Sequence, residues 1–208
     1  MKIFLASGNR HKQKEMQEIL PHCEILIPAD AGLDFNPEET GTTFYENALI
    51  KARALYSLVR KPVIADDSGL CVEALGNEPG IYTSRYAGPR FMHGYPDGTK
   101  MPQEQQNQCL IQQLNQTGSQ NRKCFYVCAM VLLIDEHRFY VAQETFEGEL
   151  IDDIKKQAGT GGFGYDPIVW LPKYKKTVAE ISAEEKNRIS HRGKAARAIS
   201  EILKKLDS

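Results

Sequence analysis

Hydrophobic positions follow two rhythms along the chain. Residues 3–6 form a short apolar run that predicts a buried strand, and Ser7-Gly8-Asn9 turns it into a helix with Met16, Ile19 and Leu20 at helical spacing. Residues 24–27 predict a second short strand, followed by an acidic loop holding Asp30, Asp34, Glu38 and Glu39; residues 29–50 contain no lysine or arginine. Thr43-x-x-Glu46 matches a capping box and predicts a helix whose Leu49, Ala52, Tyr56 and Val59 share one face. Residues 62–65 read as a buried strand that ends at Asp66-Asp67-Ser68-Gly69. A Gly- and Pro-rich loop over 87–102 precedes a polar helix over 103–115, and runs at 123–134 and 138–146 flank Asp135-Glu136-His137 as an antiparallel pair. Ser182-x-x-Glu185 caps a short helix, and Ala195, Ile199, Ile202, Leu203 and Leu206 mark a final amphipathic one. Early alternation of strands and helices with a late strand pair predicts an α/β fold on a mixed sheet, with residues 1–208 forming a single domain.

Composition narrows the class. With 208 residues, 41% hydrophobic and 25% charged, the chain suits a globular fold rather than a disordered or fibrous one. Its longest apolar run, residues 127–134, falls far short of the roughly 20 residues a membrane span requires. Residues 3–6 are also too short for the core of a signal peptide, so the expected compartment is the cytoplasm, with no membrane partner. Five cysteines without a C-x-x-C pair are expected to be reduced and buried; Cys124 and Cys128 are read as core filling on one face of a strand. The net charge of −1 gives no reason to expect a nucleic-acid partner. The distribution is uneven, because residues 173–208 hold ten Lys and Arg against five Asp and Glu. That segment is either a solvated helix face or a cationic wall for an anionic ligand.

Five stretches carry candidate chemistry. Ser7, Gly8, Asn9, Arg10, His11 and Lys12 stand where a strand hands over to a helix, and free backbone N–H groups there favour an anion. Asp66 and Asp67 are adjacent carboxylates that repel unless a cation sits nearby, which suggests Mg²⁺; alternation along a strand sends one of them to a cleft and the other elsewhere. Glu38 and Glu39 are the natural second source of oxygen ligands. Residues 159–164 satisfy GxGxxG, yet Tyr165-Asp166-Pro167 follows where a dinucleotide site needs a helix. The stretch is read instead as a loop whose flexible backbone lays Phe163 or Tyr165 against a flat ligand. Lys186, His191 and Arg192 are read as polar and cationic donors in a segment between two helices.

Taken together, ASGNRHK at 6–12, EETGTTFYENALIKA at 38–52, ADDSGL at 65–70, PGIYTSRYAG at 79–88, GTGGFGYDP at 159–167 and AEEKNRISHRG at 183–193 resemble the inosine/xanthosine triphosphate pyrophosphatase family. The resemblance implies a long central mixed sheet flanked by helices, two lobes around a nucleotide-binding cleft, and a homodimer. It implies Mg²⁺-dependent hydrolysis of ITP, dITP and XTP to the monophosphate and pyrophosphate. Asp67 becomes the residue that serves metal and attacking water, with Ser68 touching substrate, Glu38 the second metal contact and Glu39 its fallback. Ser7 to Lys12 become the triphosphate loop; Phe163, Gly164, Tyr165, Asp166, Lys186, His191 and Arg192 become the nucleoside-binding set. Ser7 stands where threonine is commoner, and residues 89–104 are longer than the usual segment. A Maf-type pyrophosphatase acting on dTTP or UTP, and a nucleotide-binding module without hydrolysis, are the alternatives.

Overall fold

The computed structural model describes residues 1–206, and among them eight strands join in one mixed sheet. The first apolar run forms β1 (Lys2–Leu5), which pairs in parallel with β2 (Glu24–Leu26) on one side and β3 (Val63–Val72) on the other. Phe4 is thereby opposite both Leu26 and Val63. β4 (Glu78–Pro79) pairs antiparallel with the end of β3. The sheet continues through β5 (Lys123–Leu133), β6 (Phe139–Leu150), β7 (Val169–Leu171) and β8 (Lys176–Thr177), in the order β2-β1-β3-β5-β6-β7-β8. Five helices accompany it among the described residues: α1 (Arg10–Ile19), α2 (Phe44–Val59), α3 (Gln103–Gln116), α4 (Ala183–Ile189) and α5 (His191–Leu206). None of the described helices is long and apolar enough to cross a membrane.

The chain divides into two compact units, and β3, β5 and β6 each contribute residues to both. The first comprises Met1–Ser68, Cys128–Glu144 and the chain from Asn187 onward. Strand alternation splits its core into two layers. On one face Ile3, Leu5, Ile64, Cys128, Met130 and Leu132 pack against Met16 of α1 and Ala195, Ala196 and Ile199 of α5. On the other, Phe4, Ala6, Val63, Ala65, Val131 and Leu133 pack against Ala48, Ala52 and Leu55 of α2. The second unit comprises Gly69–Val127 and Thr145–Lys186. Here α3 buries Leu110, Ile111 and Leu114, and Arg122 donates to the carbonyls of Leu150 and Ile151 and to Asn115 Oδ1.

Local signals explain the helix starts. Thr43 Oγ1 accepts from Glu46 N, while Glu46 accepts from the backbone of Thr42 and Thr43, so both halves of the capping box form. Asn9 Oδ1 accepts from Lys12 N at 3.4 Å at the start of α1. Ser182 Oγ accepts from Glu185 N at the start of α4.

Three expectations need correction. The strand after Pro62 does not end at Asp66 but runs through Asp67, Ser68 and Gly69 to Val72, because cations reached from distant elements satisfy the carboxylates in place. Lys186, His191 and Arg192 are not an inter-helix loop: Lys186 belongs to α4, His191 and Arg192 open α5, and Ser190 alone separates the helices. Ser190 Oγ accepts from Gly193 N, and a Cβ on Gly193 would lie 1.8 Å from the Asn187 carbonyl oxygen, so glycine permits this abrupt helix-to-helix corner. The cysteines form no disulfide, and Cys124 and Cys128 are core residues as expected, but Cys109 is only half-buried.

Candidate active site

Two successive aspartates of β3 face opposite layers of the first unit, and each finds its own cation. Asp66, on the α1/α5 side, is 2% exposed and accepts from Lys12 Nζ at 3.0 Å and Arg192 Nε at 3.2 Å. Asp67, on the α2 side, accepts from Lys51 Nζ at 3.0 Å, and Asn47 Nδ2 approaches its other oxygen at 3.4 Å. Lys51 also reaches Glu39 Oε1 at 2.9 Å. Arg192 spends its remaining nitrogens on Glu15 Oε2 and Ser68 Oγ. Four carboxylates (Glu15, Glu39, Asp66 and Asp67) thus share three cations (Lys12, Lys51 and Arg192). The group is compensated almost to neutrality, which is what permits adjacent buried aspartates.

The two aspartates hold their protons differently. Burial opposes ionisation of Asp66, but Lys12 and Arg192 outweigh it and hold the carboxyl far below the usual carboxylate range. Asp67 is shifted upward, chiefly by burial, with Glu39 and Asp66 adding repulsion and Lys51 only partly offsetting it. Burial alone would lower Lys51, yet Asp67, Asp66 and Glu39 prevail and raise it. Asp66 is therefore a fixed anion, whereas Asp67 is the better placed of the two to take a proton.

Of the stretch expected to hold the triphosphate, Ser7 to Lys12, the structure brings Lys12 to the aspartates. Asn9 and Ser7 shape the turn, with Asn9 N donating to Ser7 Oγ, and Gly8 is exposed with open space where a Cβ would go. Lys12 reaches Asp66, but Arg10 turns away to Asp30 at 2.6 Å and is not brought to the aspartates. The His11 side chain lies outside the described residues. Between the two glutamates, Glu39 is tied to Lys51 and hence to Asp67, whereas Glu38 is exposed.

In the second unit, Asp166 organises a separate cluster. Its Oδ2 accepts from Phe163 N at 2.8 Å and Lys186 Nζ at 2.5 Å, and its Oδ1 accepts from Tyr126 at 3.1 Å. The Lys186 ammonium stands 4.7 Å from the centroid of the Phe163 ring, which is 49% exposed. The glycines here serve close approach rather than flexibility: a Cβ on Gly162 would lie 2.0 Å from Asp166 Oδ2, and one on Gly159 2.5 Å from the Ala179 carbonyl oxygen. Gly164, by contrast, meets nothing within 4 Å. Of the two aromatics offered to a flat ligand, only Phe163 is available, because Tyr165 is 3% exposed and its hydroxyl donates to the Thr83 carbonyl.

Asn47 and Lys51 are site residues that the sequence reading passed over. They are four apart on α2, so they share the face that meets Asp67. An asparagine and a lysine four apart, interleaved with the apolar Ala48, Ala52 and Leu55 on a helix opened by a capping box, were the available signal.

Comparison with known proteins identifies the family. The profile of the Ham1 family matches residues 3–202. The dITP/XTP pyrophosphatase of Treponema denticola is 48% identical over 204 residues, covering 98% of this chain and 99% of that protein. The dITP/XTP pyrophosphatase of Leptospira interrogans is 42% identical, with 97% and 96% covered. Among solved structures, a HAM1 protein from Coxiella burnetii superposes with a TM-score of 0.86 at 34% identity, covering 99% of each chain. The Staphylococcus aureus Ham1 protein gives 0.79 at 35% identity, with 98% of each chain covered. With a family match over nearly its whole length, on the same segments that place Lys12, Glu39, Asp66, Asp67 and Arg192, this chain belongs to the Ham1 family.

Proposed function

We propose that this enzyme, a nucleoside triphosphate pyrophosphatase, hydrolyses the aberrant purine nucleotides ITP, dITP and XTP to the monophosphate and pyrophosphate, with Mg²⁺ as cofactor. The observation that carries the reading is the division of labour on β3: Asp66 bound to Lys12 and Arg192, and Asp67 bound to Lys51 beside Glu39. Lys12 and Lys51 supply positive charge for a triphosphate, and Asp67 supplies a carboxylate able to orient and deprotonate water.

The residues fit a hard divalent cation. Glu39 Oε1 and Asp67 Oδ1 both come within about 3 Å of one ammonium, so two carboxylate oxygens converge on one positive centre, and Mg²⁺ is typically held by one or two carboxylates plus phosphate oxygens. Asp67 and Glu39 would hold it, in place of the Glu38 assignment. When bound, Mg²⁺ neutralises charge on the phosphates. Asp67 orients the attacking water and takes its proton; Lys12 and Lys51 hold the phosphate oxygens; Asp66 keeps Lys12 and Arg192 in place. Ser68, His191 and Arg192 remain substrate contacts in this reading, as do Ser7 to Asn9. Phe163, with Lys186 and Asp166 behind it, offers its face to a purine.

The relatives named dITP/XTP pyrophosphatase support the choice of aberrant purines over dTTP or UTP. A panel of ITP, dITP, XTP, ATP, dTTP and UTP, with pyrophosphate and orthophosphate measured separately, tests it. Pyrophosphate from the first three is expected; stepwise orthophosphate, or preference for dTTP or UTP, would overturn it. A homodimer and a cytoplasmic location belong to the same proposal, and sedimentation of the purified protein checks the former.

A further inference from the structure

Lys51 occupies the place where opposite charge is most wanted. Its side chain is 11% exposed, and its ammonium bridges Glu39 Oε1 at 2.9 Å and Asp67 Oδ1 at 3.0 Å. The backbone beneath it is fixed: Ala48, Ala52 and Leu55 of the same helix are fully buried, and the capping box pins the first turn. The lysine side chain can therefore change position without moving the helix that carries it. A divalent cation entering between the same two carboxylates would meet a positive charge about 3 Å from both, and like charges at that range in a partly desolvated site repel strongly.

We propose that Lys51 is a positioning residue that acts as a resident counter-ion, excluding the divalent metal from the Glu39–Asp67 pair until a triphosphate draws its ammonium away. This rests on the reading of Glu39 and Asp67 as metal-holding residues and adds the order in which the site fills. A polyanion gives the ammonium a new partner; once the ammonium leaves, the two carboxylates require a cation. Metal and nucleotide then reinforce each other, and by linkage each raises the affinity for the other by the same factor, on the order of 5- to 150-fold. Lys12 does not share this role, since its carboxylate partner is Asp66, on the opposite side of β3.

Mn²⁺ binding to the full chain, followed by electron paramagnetic resonance, tests the idea. The probes are Mn²⁺ alone and Mn²⁺ with an inosine triphosphate analogue carrying a methylene between the α and β phosphorus atoms. Wild type is expected to bind Mn²⁺ weakly alone and at least about tenfold more tightly with the analogue. Lys51→Met is expected to bind Mn²⁺ alone at least about tenfold more tightly than wild type and to lose most of the enhancement by the analogue. Equal Mn²⁺ affinity of the two proteins without analogue would overturn the proposal, since a merely structural lysine leaves it unchanged. Mn²⁺ bound by neither protein, with or without analogue, would remove the metal site and the proposal together, whereas tight binding to wild type alone removes only the proposal. Should Lys51→Met fail to fold, the ¹⁵Nζ resonance of Lys51 in wild type decides: it should stay unmoved by millimolar Mg²⁺ and shift with the analogue. A shift with Mg²⁺ alone overturns the inference.

Discussion

Arg192 donates from Nε to Oδ2 of Asp66 across 3.2 Å, tying the start of the last helix to the middle of β3. Both side chains are buried, and Asp66 holds Lys12 as well. Asp66→Asn would leave two cations facing an amide. It should destabilise the protein by about 3–5 kcal/mol, the usual result of removing one partner of a buried pair. Arg192→Met added to Asp66→Asn should restore part of that loss by removing a buried charge that has lost its Asp66 partner. Urea unfolding of wild type, the single and the double variant measures this; a single variant as stable as wild type would show that the pairing carries no weight.

Asp67→Asn should behave differently. Burial already works against the charge on Asp67, so the amide costs the fold little, while the loss of a carboxylate that orients water should lower turnover by about 10²- to 10⁴-fold. The check is pyrophosphate release alongside circular dichroism melting. Wild-type turnover would move the catalytic assignment away from Asp67, and a collapsed fold would make its role structural.

Phe163→Ala should raise KM for purine nucleotides about tenfold or more with a smaller effect on kcat, because stacking of a base on an aromatic ring contributes roughly 1–3 kcal/mol. Tyr165→Phe should leave KM unchanged, since Tyr165 is buried and its hydroxyl is spent on the Thr83 carbonyl. Steady-state kinetics on both variants separates the aromatics, and equal effects would contradict the geometry.

The first turn of α2 should report pH. The carboxyl of Glu46 is held below its ordinary value of 4.5, first by the Thr42 hydroxyl and then by the backbone N–H groups of Thr42 and Thr43. A folded-state value below the unfolded one contributes stability that is present above the unfolded value and is lost as pH falls through the folded one. Wild type should therefore lose stability below about pH 4.5 more steeply than Glu46→Gln. Thermal melts of both proteins between pH 3 and about pH 7 measure the difference, and parallel curves would refute the contribution.

The elements that could be read from the sequence are those fixed by neighbours in the chain. Thr43 and Glu46 are three residues apart and determine their own helix start; Met16, Ile199 and Leu203 reveal their faces by spacing alone. The run at Asp66 was misread because two charges after an apolar stretch look like a strand end. What keeps the strand going lies elsewhere in the chain, on Lys12, Lys51 and Arg192. The choice between Glu38 and Glu39 was undecidable for the same reason, since it depends on which of them reaches a lysine on α2. Of the Asp166 cluster the sequence offers Phe163, Asp166 and Lys186 but not Tyr126, and it could not show that Tyr165 faces inward or that Gly162 exists to admit a carboxylate.

The peptide bond between Asp66 and Asp67 separates two chemical settings one residue apart, and this makes β3 sensitive to changes of length rather than of composition. Deleting a single residue between Val63 and Asp66 while keeping the strand paired would present Asp67 to Lys12 and Arg192 and set Ser68 before Lys51. Every site side chain would still be there, the apolar layers would be exchanged, and the water-activating carboxylate would become a locked counter-ion. A change of length in a loop such as 87–102 leaves the alternation of β3 as it is, whereas a frame shift of one in the strand inverts the arrangement. Here the reading frame of the chemistry is the pleat of the sheet.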